Sequence, residues 1–215
     1  MSKRRKELTP ELVLRAYCVG AFPMATSRHG HVDWYSPDPR AVLPLAAGAF
    51  HVSRSLRRVV RQERFAMTHD RAFEAVVQGC AEPRADSDET WINDEIARVF
   101  VELHRQGWAH SIEAWSPATD DADRDNVAAP GWRLAGGLYG LAIGGAFFAE
   151  SKFTRERDAS KVCLVHLVEH LRRQGFTLLD VQLTNPHLEQ FGVVEIPRDT
   201  YLRQLSAAVR ACAHW

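Results

Sequence analysis

No run of apolar residues in this 215-residue chain is long enough to cross a bilayer, so no membrane-spanning helix is expected. Neither charge dominates, since 27 Lys and Arg face 27 Asp and Glu. A global polycation is therefore missing, and any affinity for nucleic acid must come from local clustering. The four cysteines, Cys18, Cys80, Cys163 and Cys212, lie far apart and form no pairing motif. Reduced, mostly buried thiols in a cytosolic protein are expected. No nucleophile elbow, Walker loop or Rossmann phosphate loop is present. The basic start, MSKRRKELTP, has no apolar stretch behind it and does not read as a signal peptide.

What the chain has is 46% hydrophobic residues, enough to bury a core as one large domain or two unequal ones. Thr9 and Pro10 open a helix as N-cap and first-turn residues, and Gly20 stops it. Residues 22–40, which include Pro37 and Pro39, read as loop, and residues 1–50 as a small lobe that buries little by itself. Helices are expected over 53–62 and 71–80. A longer one runs from about Asn93 to Gln106, with Ile96, Val99, Phe100 and Leu103 on one face. The polar run AEPRADSDET and the acidic stretch 116–131 read as surface loops. HSIEAW and WRLAGGLYGLAIGGAFFAES supply three strands, Asp158 caps a helix over 159–174, and FTLLDVQL is a further strand. This order predicts an α+β domain with a mixed sheet.

Three polar residues interrupt the apolar strand–helix–strand pattern of residues 136–191: Glu150, Asp180 and Gln182. A carboxylate at the end of an apolar strand is costly to bury unless it is paired or used. Asp180 and Gln182 are two apart, so strand alternation puts them on one face. Gly136, Gly137, Gly140, Gly144 and Gly145 crowd one strand region, which suggests close approach of a ligand or a neighbouring element. Arg54, Arg57, Arg58 and Arg61 recur at helical spacing; such a stripe follows a phosphate backbone or is an ordinary solvated face. Trp34, Tyr35 and Trp91 stand outside the periodic core, where they stack on a base, line a pocket or fill space. His166-Leu-Val-Glu169-His170 matches a His-x-x-Glu-His zinc signature, but no third ligand is singled out, and the plain reading is the flank of an amphipathic helix.

The strings WYSPDPRAVLPL, FHVSRSLRR, AFEAVVQGCAEPR, TWI, HSIEAW, GGLYGL, FFAESKFTRERDASK and LLDVQLTNPHLEQFGVVEIPR run in order over nearly the whole chain. Together they resemble the leucyl/phenylalanyl-tRNA–protein transferases. The resemblance implies a small N-terminal domain, set here at 1–50, and a GCN5-related acyltransferase-like domain over 51–215. It implies transfer of Leu, and also Phe or Met, from aminoacyl-tRNA to the N-terminal Arg or Lys of an acceptor protein, which marks that protein for degradation. No ATP, metal or other cofactor is needed, because the tRNA ester is already activated. A cytoplasmic monomer without a membrane partner is expected.

The same resemblance assigns residues. Asp180 accepts or relays the amine proton, Gln182 orients it, and Glu150 holds the incoming basic N-terminus. Met24, Trp91, Leu138, Phe147, Leu167, Leu171 and Leu179 fall on the aminoacyl pocket, with Met24, Leu167 and Leu171 standing where the family's pattern has aromatics. Arg54 and Arg58, with Arg57 and Arg61 beside them, fall on the basic patch that grips the tRNA. Three rivals remain at this point. An acyl-CoA-dependent N-acyltransferase of the same fold lacks its pyrophosphate loop here, a zinc hydrolase would be centred on His166 and His170, and a tRNA-binding module without catalysis is disfavoured by the retention of Glu150, Asp180 and Gln182.

Overall fold

Side-chain caps start three of the expected helices. In a computed structural model, which describes residues 7–83, 90–118, 127 and 131–215, Thr9 accepts the Leu12 N–H to open α1 (Pro10–Cys18). Ser53 does the same for Leu56 in α2 (Arg54–Arg61), and Asn93 for Ile96 in α4 (Asp94–Arg105). Each satisfies an amide that the helix itself leaves unpaired. α3 (Phe73–Ala81) has no such cap. Its entrance is served by Glu113, fully buried, which accepts the Arg71 and Ala72 N–H groups and the Thr68 and Ser111 hydroxyls. A buried carboxylate is tolerable only when its lone pairs are filled in this way. α5 (Ala159–Arg173) departs from expectation: Asp158 adopts a left-handed backbone and makes no side-chain cap, and its carboxylate faces Lys161 and Arg157 instead.

Residues 22–40, expected as loop, contain a hairpin of β1 (Phe22–Ala25) and β2 (Val32–Tyr35). Pro37 and Pro39 lie just beyond its second strand, so they do not interrupt the ladder. The large sheet then begins at β3 (Arg40–Leu43), within the segment read as part of the small lobe. It continues with β4 (Ala66–His69), β5 (Ala109–Pro117), β6 (Trp132–Ile143), β7 (Ala146–Thr154), β8 (Leu178–Gln182) and β9 (Val194–Ile196). α6 (Pro186–Glu189) and α7 (Arg198–Ala208) complete the chain. β4, α6, β9 and α7 were not anticipated. The strand order is β4-β5-β6-β7-β8-β3-β9, antiparallel throughout except for β7 with β8. The protein is therefore α+β, with a small N-terminal domain and a larger one built on a mixed seven-stranded sheet.

One face of the sheet buries Tyr139, Leu141 and Phe148 against α1, α3, α4, α7 and the hairpin. The other buries Ile112, Leu138, Phe147 and Leu179 against α5, over which α2 lies through Leu56. Burying each such side chain stabilises the fold by roughly 1.5–3 kcal/mol. The glycines of β6 serve this layering. A side chain at Gly136 would meet Ala159 at the start of α5, and one at Gly137 would meet Val76 of α3, so neighbouring elements account for both. The tips of both expected polar loops, residues 84–89, 119–126 and 128–130, lie outside the described residues. No helix among the described residues is long and apolar enough to cross a membrane. None of the four cysteines is in a disulfide; Cys80 and Cys163 are buried, whereas Cys18 and Cys212 are exposed, against the expectation of mostly buried thiols.

Candidate active site

β7 and β8 pair only from Ala146–Phe148 to Leu178–Asp180. Beyond these residues the two strands line opposite sides of a cavity of about 840 Å³. Two irregularities flank the fork. In β7, Gly140 faces Ala149 and Tyr139 faces Ser151, so Glu150 is the extra residue of a bulge. In β8, Val42 faces Asp180 and Ala41 faces Gln182, so Val181 is extra there. A bulge re-aims its side chains and breaks alternation. Gly140 makes the first bulge possible, because a Cβ there would sit 2.3 Å from the Phe148 carbonyl oxygen.

The second bulge overturns the expected parity of Asp180 and Gln182. Gln182 has φ of 61°, an unfavourable left-handed conformation for a side-chain-bearing residue. Its own N–H donates to Asp180 Oδ1 at 2.8 Å, which holds that turn. Gln182 faces the cavity, but Asp180 does not line it. Asp180 is wholly buried and accepts Arg40 Nη2 at 2.7 Å, Arg40 Nε at 3.0 and 3.2 Å, and the Tyr201 hydroxyl at 2.6 Å. The Arg40 guanidinium is flanked by the Phe22 and Tyr201 rings, 4.6 and 4.7 Å from their centroids, and donates to the Gly20 carbonyl at 3.1 Å. Arg40 is thus the residue that sequence reasoning missed. The signal was the cost of burying Asp180, which demands a cation, but the partner stands 140 residues away.

Glu150 is the carboxyl group that opens on the cavity, and it accepts Gln182 Nε2 at 3.1 Å. Burial pushes it from its ordinary 4.5 up to about 8; Tyr17 and Arg40 pull it down, while Asp180 adds to the rise. The Tyr17 hydroxyl is buried without a partner at hydrogen-bond distance, and burial together with Glu150 raises its own pKa well above the usual value.

Of the seven expected pocket residues, Met24, Trp91 and Leu138 line the cavity. The hairpin brings the first two together: the Ala25 N–H donates to the Trp91 carbonyl at 3.0 Å, and Asn93 Nδ2 donates to Gly30 at 3.0 Å. Phe147, Leu167, Leu171 and Leu179 do not line it and are fully buried. The cavity meets only the first turns of α5, through Ser160, Lys161 and Leu164, and residues 167 and 171 lie further along. Phe147 is covered by Trp215, stacked at 5.2 Å and 18°. Phe22, Leu164, Val181, Leu188 and Phe191 complete the apolar wall in their place. Trp34 and Tyr35 are part-exposed and off the cavity.

His166 and His170 face a different neighbourhood. His170 lies 4.7 Å from His69 and 4.5 Å from Trp215, ring to ring, and the Trp215 indole donates to Asp70 at 2.9 Å. Burial, with His69 next, holds His170 down to about 4. Among the described residues no group of three His, Cys, Asp or Glu could hold a metal ion together. The α2 arginines, Arg54, Arg57, Arg58 and Arg61, are all exposed and do not touch the cavity.

The cavity in the strand fork thus combines an apolar wall, a charged rim and a carboxyl–amide pair. Comparison with known proteins shows the family. Residues 42–206 match the family model "Leucyl/phenylalanyl-tRNA protein transferase", and residues 6–38 match that family's N-terminal domain. Proteins named leucyl/phenylalanyl-tRNA–protein transferase are 51% identical in Chlorobaculum parvum, covering 93% of this chain and 94% of the relative, and 52% identical in Rubrobacter xylanophilus, covering 94% and 96%. A third, in Paramagnetospirillum magneticum, is 50% identical over 97% of this chain and 92% of its own. The chain belongs to the leucyl/phenylalanyl-tRNA–protein transferase family and is a transferase. A solved structure described as L-PGS from Bacillus licheniformis covers 80% of this chain and 65% of its own at 8% identity and a TM-score of 0.43, too low to support an argument.

Proposed function

We propose that this chain moves Leu, and less efficiently Phe or Met, from aminoacyl-tRNA to the N-terminal Arg or Lys of acceptor proteins, creating a degradation signal in the cytoplasm. The observation that carries this reading is Glu150, set by its bulge at the cavity wall, bonded to Gln182 and titrating near 8. An α-amine titrates at roughly 8 as well. Proton transfer is efficient between groups so matched.

Glu150 holds the incoming ammonium, whose charge favours the carboxylate form, and takes one of its protons. The amine nitrogen then bonds to the ester carbonyl carbon. The C–O bond to the tRNA ribose breaks, and a proton from the attacking nitrogen ends on the ribose oxygen. Gln182 donates its amide N–H to Glu150, which leaves its carbonyl oxygen to accept from the amine. Asp180, expected as the proton acceptor, acts here as a positioning residue: its oxygens are filled by Arg40, Tyr201 and the Gln182 amide, and it fixes the turn that presents Gln182. The mixed aliphatic and aromatic wall takes Leu by shape and apolar burial, and one methylene more or less changes preference by only about 1–3 kcal/mol. The exposed α2 arginines suit the phosphates of the tRNA duplex. The chain works as a monomer.

The test is incubation with labelled Leu-, Phe- and Met-tRNA and peptides beginning with Arg, Lys or Ala. Labelled product on Arg and Lys peptides, in the order Leu before Met and Phe, is expected. Equal labelling of the Ala peptide would sink the acceptor assignment.

A further inference from the structure

Past Phe148 the large sheet holds an open strand edge in its interior. β8 pairs with β7 only at Ala146, Phe147 and Phe148, whereas the ladder between β7 and β6 runs on to Thr154. Every second residue of a strand turns its N–H and C=O away from a given neighbour, so the outer side of β7 carries a row of donors and acceptors beyond the fork. Among the described residues, the backbone of Glu150, Ser151 and Phe153 makes no backbone hydrogen bond outside the β6 ladder. The cavity lies along this edge. A strand that shows one face to a cavity contributes alternate residues, but here every residue from 149 to 154 lines it. The opposite wall does not close the gap. Gln182 takes φ of 61°, its N–H is held by Asp180, and the Leu183 N–H donates to the Val181 carbonyl at 2.8 Å. β8 therefore ends in a tight turn that consumes its own amides. At about 840 Å³ the cavity is also larger than one aminoacyl group requires.

We propose that the N-terminal segment of the acceptor protein binds as an added strand on the outer edge of β7, parallel to it, with its first residue at Glu150 and the next ones beside Ser151 to Thr154. This rests on the reading that an N-terminal amine is the acceptor. Charge sets the direction: the ammonium belongs beside the Glu150 carboxyl at the inner end of the open edge, and the rest of the acceptor leaves past Thr154, which is exposed. The added strand continues the parallel direction that β8 takes beside β7. Ser151 to Thr154 extend for about 13 Å at about 3.3 Å per residue, which serves roughly three or four acceptor residues. A polypeptide is the ligand whose donors and acceptors repeat at the spacing of a strand edge. The acceptor is thus read by side chain at its first residue and by main chain after it.

The test is an ester scan of a fluorescent peptide, Arg-Ala-Val-Ala-Val, with binding to the wild-type protein read by anisotropy. Replacing the amide N–H of the second, third, fourth or fifth residue in turn by oxygen removes one donor and keeps every side chain. Losses of about three- to tenfold at alternate positions, and almost none at the positions between, are expected for strand pairing. Exchanging the side chains after the first residue for Ser or Gln should change affinity by less than about threefold, because the main chain carries the contact. In a second arm, amide hydrogen exchange of the protein should slow over residues 149–154 when the peptide binds, and not over 183–185. Binding without alternation in the ester scan, or without slowing over 149–154, overturns the added strand and leaves the acceptor reading intact. Alternation shown equally by a peptide beginning with Ala supports the added strand and removes the preference for Arg or Lys. If no peptide binds, both fall.

Discussion

Asp180 and Glu150 are both carboxyl groups at bulges of the same fork, yet their surroundings are opposite. Asp180 has its charge matched by Arg40, its oxygens filled and no view of the cavity. Glu150 has one amide partner, an open side and a proton it holds until about pH 8. The difference teaches that a functional carboxylate is recognised by what it is denied. A fully satisfied group is an anchor, and an under-served one is available for chemistry.

The sharpest way to break this comparison is Glu150→Gln. The amide keeps the shape and the contact with Gln182 but cannot take a proton, so transfer should fall by roughly two to four orders of magnitude. Urea unfolding at pH 4, below both the folded and the unfolded value of the group, should be nearly unchanged. Near-wild-type turnover in the folded variant would return Glu150 to a merely structural role. Arg40→Ala should do the reverse. Stranding the buried Asp180 charge should cost about 3–5 kcal/mol of stability, read by denaturant titration, with activity falling only because the Gln182 turn loosens. A fully active, fully stable variant would mean that the pair does not hold the site.

Gly140→Ala addresses the bulge itself. A methyl group placed against the Phe148 carbonyl must shift the ladder, at a cost of about 1–3 kcal/mol typical of overpacking. It should also displace Glu150, so the transfer rate should fall more than the stability change alone explains. A further effect is expected in pH dependence. Because the folded-state value of Glu150 lies above 4.5, the folded protein keeps a proton that the unfolded chain has released between about 4.5 and about 8. Stability must therefore decline as pH rises through that window, by at most about 1.4 kcal/mol per pH unit. Glu150→Gln should remove that part of the slope. Parallel slopes for both proteins would show that Glu150 is not the group responsible.

The two carboxylates also mark how far the sequence could be read. Thr9, Ser53 and Asn93 announce their helices, because a cap acts within three residues and leaves a local signature. The apolar runs of β5 to β8 are equally local. What failed was anything set by a bulge or a distant partner. Alternation predicts one face for Asp180 and Gln182, and the extra Val181 cancels it. The shortage of partners for a buried carboxylate was legible, but its answer, Arg40, was not distinguishable from the other cations. The hairpin of residues 22–35 was hidden by the prolines behind it, although its Met24 was named through the family resemblance. That resemblance also carried Phe147, Leu167, Leu171 and Leu179 to the cavity, where Trp215 and the run of α5 leave them in the core.

The Tyr201 hydroxyl that seals Asp180 comes from α7, whereas Arg40 comes from β3 and Asp180 itself from β8. During synthesis the walls of the fork leave the ribosome before the helix that completes the turn beneath Gln182. A chain cut before residue 201 would lose the hydroxyl that fills an Asp180 oxygen, and with it part of the support beneath the Gln182 turn.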